Sequence, residues 1–278
     1  MMGGAEIATC VDLGLLQGFL GVALFLTLRV LNFTDLTCEG SFVFGACTAS
    51  VLLTKGYPIP VSLAASFLAG SVAGAVTGVL NIFLKVKDIL AGILVAFMFY
   101  SINLRVLKDA PNITLPEGAQ LTGLYIFCAA TVLMLGYMLR TDWGLALRAV
   151  GQNPQLAQLS GISVKKMTFL GLALSNALIG LAGSLTSLRQ GFCDVSSGTG
   201  LIIVGLASVV IGEKIMPFQN LFLQLLGCFA GAVLYRFFMG LALELECLNL
   251  KSSDVNLISG LLILSVMALR KRRRLCCT

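Results

Sequence analysis

The 278-residue sequence contains no histidine, and charged residues make up only 12% of it. Without histidine there is no imidazole base, no H-E-x-x-H and no histidine zinc ligand. No G-x-S-x-G elbow is present either, so the usual acid–base and nucleophilic arrangements are missing. The nine cysteines are scattered singly apart from Cys276 and Cys277, and no C-x-x-C pair occurs. A zinc site is therefore not expected. Cys38, Cys47, Cys128 and Cys228 read as small apolar filler in helices. A G-x-x-x-x-G-K-[ST] loop is also lacking, so the chain cannot bind ATP through a P-loop of its own. No cofactor or metal is predicted.

What is abundant is apolar sequence. A mean hydropathy of +0.96 leaves too few polar groups to cover a soluble surface. Apolar runs near 20 residues recur, and about 20 helical residues cross a ~30 Å hydrocarbon core. The runs are continuous rather than alternating, which favours helices over a barrel. The expected fold is all-α: a polytopic membrane protein of about 8–10 transmembrane helices in one domain, 1–278. Nine segments are predicted, at 11–31, 36–54, 58–84, 88–107, 121–139, 167–190, 199–214, 217–239 and 255–270. The first has Glu6 and Asp12 on its flank rather than a basic n-region, so it reads as a retained span and not a cleavable signal. At sixteen residues, 199–214 reaches only about 24 Å, which suggests a broken or little-tilted span.

Orientation follows the lysine and arginine bias. Arg270, Lys271, Arg272, Arg273 and Arg274 form a basic tail beside a span, a topological marker rather than a nucleic-acid contact. Counting back from it places Arg29, Lys85, Lys87, Arg140, Arg148, Lys165, Lys166 and Lys214 on the same, cytoplasmic, side: 13 of the 19 basic residues. The loops 108–120 and 240–254, with Asp109, Glu117, Glu244, Glu246 and Asp254, fall outside. This places two halves, 11–139 and 167–270, on either side of a cytoplasmic loop, 140–166. The N-terminus comes out extracytoplasmic if 36–54 crosses fully; a re-entrant 36–54 reverses it.

An internal repeat is visible. "PVSLAASFLAGSVAGAV" from Pro60 and "PFQNLFLQLLGCFAGAV" from Pro217 match at one constant offset in their proline, in Leu68/Leu225, and in the small residues Gly70/Gly227 and Gly74/Gly231. Each copy holds a G-x-x-x-G, which lets helices approach closely in lipid. Gly70, Gly74, Gly227 and Gly231 are thus candidate helix-packing positions. As the third and eighth segments they cross in opposite directions, the inverted-repeat arrangement of transporters.

Polar residues within apolar runs are the candidates for function. "LNFTDLTCEGSFVFGA" puts Asn32, Asp35, Thr37 and Glu39 at the head of the second segment. A carboxylate deep in a helix costs about 2.5–3.5 kcal/mol on insertion scales and normally faces a cavity or partner. Two readings stand: a broken helix lining a pathway, or a carboxylate pair at the cytoplasmic interface with Asp35 as an N-cap. "LSNALIG" places Ser175 and Asn176 inside a span, where Asn176 either lines the pathway or bonds a neighbouring helix.

The remaining polar stretch is "RTDWGLALRAVGQNPQLAQLSGISVKK", 140–166. Asn153 can cap a helix with Pro154 at its first position, and Gly161 can stop it. Leu156, Ala157 and Leu159 form an apolar stripe. A helix of about seven residues is too short to stand alone in water, so it needs a surface: a partner protein, or lipid headgroups with Trp143 as anchor.

"GLALRAVGQNPQLAQLSGISV" followed by "LGLALSNALIGLAGSL" resembles the main cytoplasmic loop of permease subunits of bacterial ABC importers, the family of branched-chain amino acid and ribose permeases. "DLTCEGSFVFGA" is similar to its N-terminal motif, and the tryptophan/tyrosine-type permeases share the pattern most. The likeness spans roughly 11–270, with 144–183 its specific part. Cys38 and Cys47 stand where plain small or aliphatic residues are expected. The resemblance implies an inner-membrane, multi-pass transport subunit moving a small, amino acid-like solute, with ATP hydrolysis on a separate cytoplasmic ATPase. It also implies an extracytoplasmic solute-binding protein and a second permease copy, as a homodimer. Carried over to this chain, Arg148, Gly151, Asn153, Pro154, Ala157 and Gly161 form the ATPase-coupling segment. The alternative is a stand-alone secondary transporter that uses Asp35 or Glu39 for ion coupling.

Overall fold

A computed structural model describes residues 4–115, 123–216, 220–244 and 260. Ten α-helices follow in order: α1 (Gly4–Phe25), α2 (Cys38–Thr54), α3 (Ile59–Ile82), α4 (Asp88–Val106), α5 (Leu124–Met138), α6 (Asp142–Gln152), α7 (Pro154–Leu159), α8 (Val164–Gln190), α9 (Leu201–Ile215) and α10 (Leu221–Glu244). Among the described residues, six helical stretches are long and apolar enough to cross a membrane, and α2 and α5 are shorter apolar helices. Eight of the nine expected segments therefore coincide with helices. Apart from residue 260, the ninth, 255–270, lies outside the described residues, as do Pro217, Glu117, Glu246, Asp254 and the basic tail.

Two features depart from a purely helical reading. Residues 112–114 and 192–194 form a two-stranded antiparallel sheet, β1 (Asn112–Thr114) and β2 (Phe192–Asp194), with Ile113 opposite Cys193. This pairing satisfies backbone groups where the chain leaves its helices. The span expected at 199–214 is a continuous helix from Leu201, and the break falls just ahead of it: a 3-10 turn, Val195–Gly198, precedes α9, and Gly200 between them has φ +82°, a conformation that suits glycine. α1 likewise ends in a π-helical turn, Leu26–Val30, after which Asn32 adopts φ +54° and the chain reverses into α2.

Side-chain contacts fix the direction of each helix. Arg189 pairs with Asp12 at 3.1 Å, Ser175 Oγ donates to the Ala23 carbonyl at 2.8 Å, and Gly171 lies against Leu31. As α1 descends, α8 therefore rises. α3 is antiparallel to α8, with Ser66 on Ser184, Gly70 on Asn176, Gly74 on Leu172 and Gly78 on Phe169. α10 is antiparallel to α1, with Val233 on Gly14 and Phe229 on Gly18. It follows that α3 and α10, which carry the sequence repeat, run in opposite directions.

The pairings obey the same exchange. α8 packs on α2 and α3, as α1 packs on α9 and α10; α2 packs on α3, as α9 packs on α10. Swapping α1 with α8, α2 with α9 and α3 with α10 reproduces the set, so the two halves are an inverted repeat. The equivalence extends into the loops. Asp35 Oδ1 accepts from Thr37 N at 2.8 Å before α2, and Asp194 Oδ1 accepts from Ser196 N at 2.9 Å before α9. "FTD" and "FCD" therefore make the same turn.

Glycine sets the packing distance. A Cβ on Gly70 would overlap the Asn176 carbonyl oxygen, one on Gly74 that of Leu172, and one on Gly231 that of Ser208; at Gly227 the nearest atom is the Gly212 carbonyl at 3.0 Å. Gly45 and Gly183 bring α2 and α8 equally close. Such backbone approach is how helices gain dispersion contacts where water provides no drive.

Candidate functional site

α2 and α9 both begin inside the bundle. Ser41 and Cys38 open α2 beside Asn176, near the middle of α8, and not at the end of the bundle. α9 runs parallel to α1, from Gly205 against Leu20 and Leu24 to Glu213 on Arg29. Its start therefore also lies inside the bundle. The two starts meet: Gly200 N donates to Glu39 Oε1 at 2.9 Å, and Gly198 lies against the Glu39 backbone. Two helix N-termini from opposite halves face one another in mid-bundle, in the manner of the discontinuous helices of transporters.

Beside this junction is a cavity of about 430 Å³, lined by α2 (Glu39, Gly40, Val43), α4 (Ile93, Ala96, Phe97, Tyr100, Asn103) and the turn into α9 (Val195, Gly198, Thr199, Ile202), with Leu36. Among the described residues, no lysine or arginine is on its wall. Glu39 is half-buried. Asn103 is 1% exposed; its Nδ2 donates to the Gly40 carbonyl at 3.5 Å and its buried Oδ1 has no partner among the described residues.

Next to the cavity runs a closed polar chain. Ser41 Oγ donates to Asn176 Oδ1 at 2.5 Å, Asn176 Nδ2 donates to Asp35 Oδ2 at 2.6 Å, and Thr37 Oγ1 meets Thr77 Oγ1 at 2.7 Å. Asp35, Thr37, Ser41, Thr77 and Asn176 are each at most 2% exposed. Asp35 is in no ion pair among the described residues and is held by neutral donors. Buried polar networks of this kind specify one packing when every member is satisfied.

Of the six residues expected along a pathway, only Glu39 is therefore on the cavity wall. Asp35, Thr37 and Asn176 belong to the sealed chain. Ser175 is spent on the Ala23 carbonyl. Asn32 is exposed at the chain reversal, where its left-handed φ is the reason for an asparagine. Asn103, Ser41, Thr77 and Gly200 were not expected. Asn103 had a signal, since it is a lone amide in the apolar run 88–107. Ser41 repeats Thr37 at i+4 and so lies on the same helical face. Gly200 and Thr77 carried none.

At one end of the bundle Arg29 forms a two-point ion pair with Glu213, Nε to Oε1 at 2.5 Å and a second nitrogen to Oε2 at 2.6 Å. Lys165 and Lys166 lie beside Ile82 and Phe83 at the same end. The segment 140–166 sits here. Asn153 Oδ1 accepts from Leu156 N at 3.1 Å and caps α7, with Pro154 at its first position. Gly161, at φ +83°, ends it, and Ile162 N returns to the Ala157 carbonyl at 3.0 Å. The cap and stop fall where the sequence placed them. The side-chain directions do not all agree. Ala157 is only 3% exposed and faces the protein's own body, whereas Leu156 is 62% and Leu159 86% exposed. The six-residue helix turns one small residue inward and two large ones out, so a partner would meet the leucines rather than Ala157. Gly151 rests on the Val30 carbonyl, where any Cβ would overlap it. Arg148 lines a cavity with Arg29 and Glu213, and its buried Nε has no partner among the described residues.

Comparison with known proteins agrees with this architecture. Residues 7–267 match the family described as the permease component of branched-chain amino acid transport systems. The tyrosine transport system permease protein of Clostridioides difficile (strain R20291) is 32% identical, over 91% of this chain and 88% of its own length. An uncharacterized protein of Rickettsia prowazekii (strain Madrid E) is 27% identical over 97% of this chain and 99% of its own. The autoinducer 2 import system permease protein LsrC of Escherichia coli (strain K12 / DH10B) is 26% identical, over 84% of this chain and 70% of its own length. No solved structure matches significantly. The chain belongs to the permease-component family of branched-chain amino acid transport systems, and is a multi-pass inner-membrane permease subunit of an ABC-type importer for small solutes.

Proposed function

We propose that this permease moves an amino acid-like solute and is driven by a cytoplasmic ATPase that grips the segment 140–166. An extracytoplasmic binding protein delivers the solute at the opposite end, and a second copy of the chain completes the membrane unit. The observation that carries the reading is α7: capped at both ends, seated by Ala157, and holding Leu156 and Leu159 outward at the basic end of the bundle. A leucine pair on a rigid helix suits a groove in a partner. α6 carries Gly151 directly onto the Val30 carbonyl at the end of α1, so a push on α6 and α7 reaches the π-turn and the reversal that opens α2. The amino acid-like character is supported by the similarity to a tyrosine permease.

The alternative, ion-coupled transport through Asp35 or Glu39, has the place of Glu39 on the cavity wall in its favour. Uptake in cells separates the two. An ATP-driven importer stops on ATP depletion and persists with a proton uncoupler; an ion-coupled carrier does the reverse.

A further inference from the structure

We propose that the cavity between α2, α4 and the start of α9 is a solute-binding site for a compound carrying an ammonium group on an apolar or aromatic body. This rests on reading the chain as a permease whose solute passes between the two half-helices.

Two side chains on the wall, Glu39 and Asn103, each hold an acceptor oxygen with no donor among the described residues. Glu39 commits Oε1 to Gly200 N, and Oε2 accepts no hydrogen bond among the described residues. The Asn103 amide donates to the Gly40 carbonyl at 3.5 Å, and its buried Oδ1 has no partner among the described residues. The Thr199 hydroxyl already donates to the Ser196 carbonyl. With no lysine or arginine on the wall among the described residues, an anionic ligand would meet the Glu39 carboxylate with only the partial positive charge of the two helix N-termini to offset it, and Glu39 already caps one of them. A neutral apolar ligand would leave both acceptors unpaired, which is costly in a buried site. A ligand with several N–H donors and a positive charge satisfies both. Apart from the Tyr100 hydroxyl, Leu36, Val43, Ile93, Phe97, Tyr100 and Ile202 present apolar or aromatic surface, and aromatic faces also attract cations. At about 430 Å³ the space is within the range of small-molecule pockets.

The competing explanation is that Glu39 only caps α9. A glutamine separates the two, because its amide oxygen can still accept from Gly200 N while the charge is gone. The assay is binding of phenethylamine to the purified permease in lipid nanodiscs, read by calorimetry, with phenethyl alcohol and 3-phenylpropionate as neutral and anionic probes. The expected result is that phenethylamine binds and the other two do not at the same concentrations. Glu39→Gln should weaken it by about tenfold or more, the usual range for losing a charge-assisted hydrogen bond, with the melting temperature of the unliganded protein retained. Asn103→Leu removes the second acceptor without touching the Glu39–Gly200 bond and should also weaken it; it decides the matter alone if Glu39→Gln fails to fold. Equal binding of the alcohol, or unchanged phenethylamine affinity in both variants, overturns the proposal. The assay contains no ATPase. A failure here leaves the ATP-driven reading standing, and a permease that proves not to engage an ATPase leaves this site standing.

Discussion

Asn176 on α8 donates its amide to the Asp35 carboxylate at 2.6 Å, so a residue of the second half supplies a donor to the buried acid of the first. The same amide accepts from Ser41 and donates to the Leu172 carbonyl, so α2, the turn before it and α8 meet on one side chain. Asn176→Leu should leave the carboxylate short of a donor and destabilise the permease by about 1.5–3 kcal/mol, as for a hydrogen bond to a charged group. Asp35→Asn in the same background should recover part of the loss, because the acid that lacked a donor is gone. Thermal unfolding of the single and double variants in detergent reads both effects. Equal destabilisation by the double variant and the sum of the singles would mean that the two residues do not act together.

The glycines of the repeat should differ in tolerance. Gly74→Ala and Gly231→Ala drive a methyl into carbonyl oxygens of the neighbouring helix, while at Gly227 the nearest atom is 3.0 Å away and at Gly123 nothing lies within 4 Å. Folded yield should fall in the order Gly123→Ala, Gly227→Ala, then Gly231→Ala and Gly74→Ala, with about 1–3 kcal/mol for the overpacked sites. Size-exclusion recovery of the four variants tests the ranking.

The helices were legible because hydrophobic length alone demands them, and the repeat because two G-x-x-x-G motifs fell at one offset. The exchange of α1 with α8 and α2 with α9 was not legible, since the matching turns at Asp35 and Asp194 share only three-residue patterns. Side-chain direction was the weakest inference. Periodicity placed Leu156, Ala157 and Leu159 on one stripe, but a single turn packed at an angle buries the alanine and exposes both leucines. Polar residues in spans were also ambiguous from sequence. Asp35 and Glu39 are four apart on the chain, yet one closes a hydrogen-bonded chain and the other faces a cavity, a difference made by α8 and Gly200 from the other half.

Cys47 and Cys193 place their sulfurs 3.7 Å apart across the two halves. In a variant that keeps only these two cysteines, treatment with copper phenanthroline should join them within one chain. Protease cleavage between residues 47 and 193 should then release linked fragments under non-reducing conditions. Fragments that separate without reductant would contradict the placement of α2 against β2.

Gln158 and Asn112 lie at opposite ends of the bundle, one on α7 among the basic residues and the other on β1 beside Asp194. With cysteines introduced singly at these positions in a cysteine-free background, a membrane-impermeant maleimide should label Asn112→Cys in intact cells and Gln158→Cys only after permeabilisation, as the basic bias requires. Labelling of both from the same side would break the topology.

The most direct test of the coupling role is Leu159→Glu, compared with Ala157→Glu, in cells that carry the ATPase. Leu159 is the most exposed large apolar residue of the segment, so a carboxylate there costs the folded permease little and blocks an apolar groove in the partner. The account predicts normal membrane insertion and melting for Leu159→Glu, with ATPase co-purification and uptake lost together. Ala157→Glu buries a charge against the permease's own body and should instead lower the stability of the isolated permease. If Leu159→Glu retains both the ATPase and full uptake, α7 is not the contact through which ATP drives this transporter.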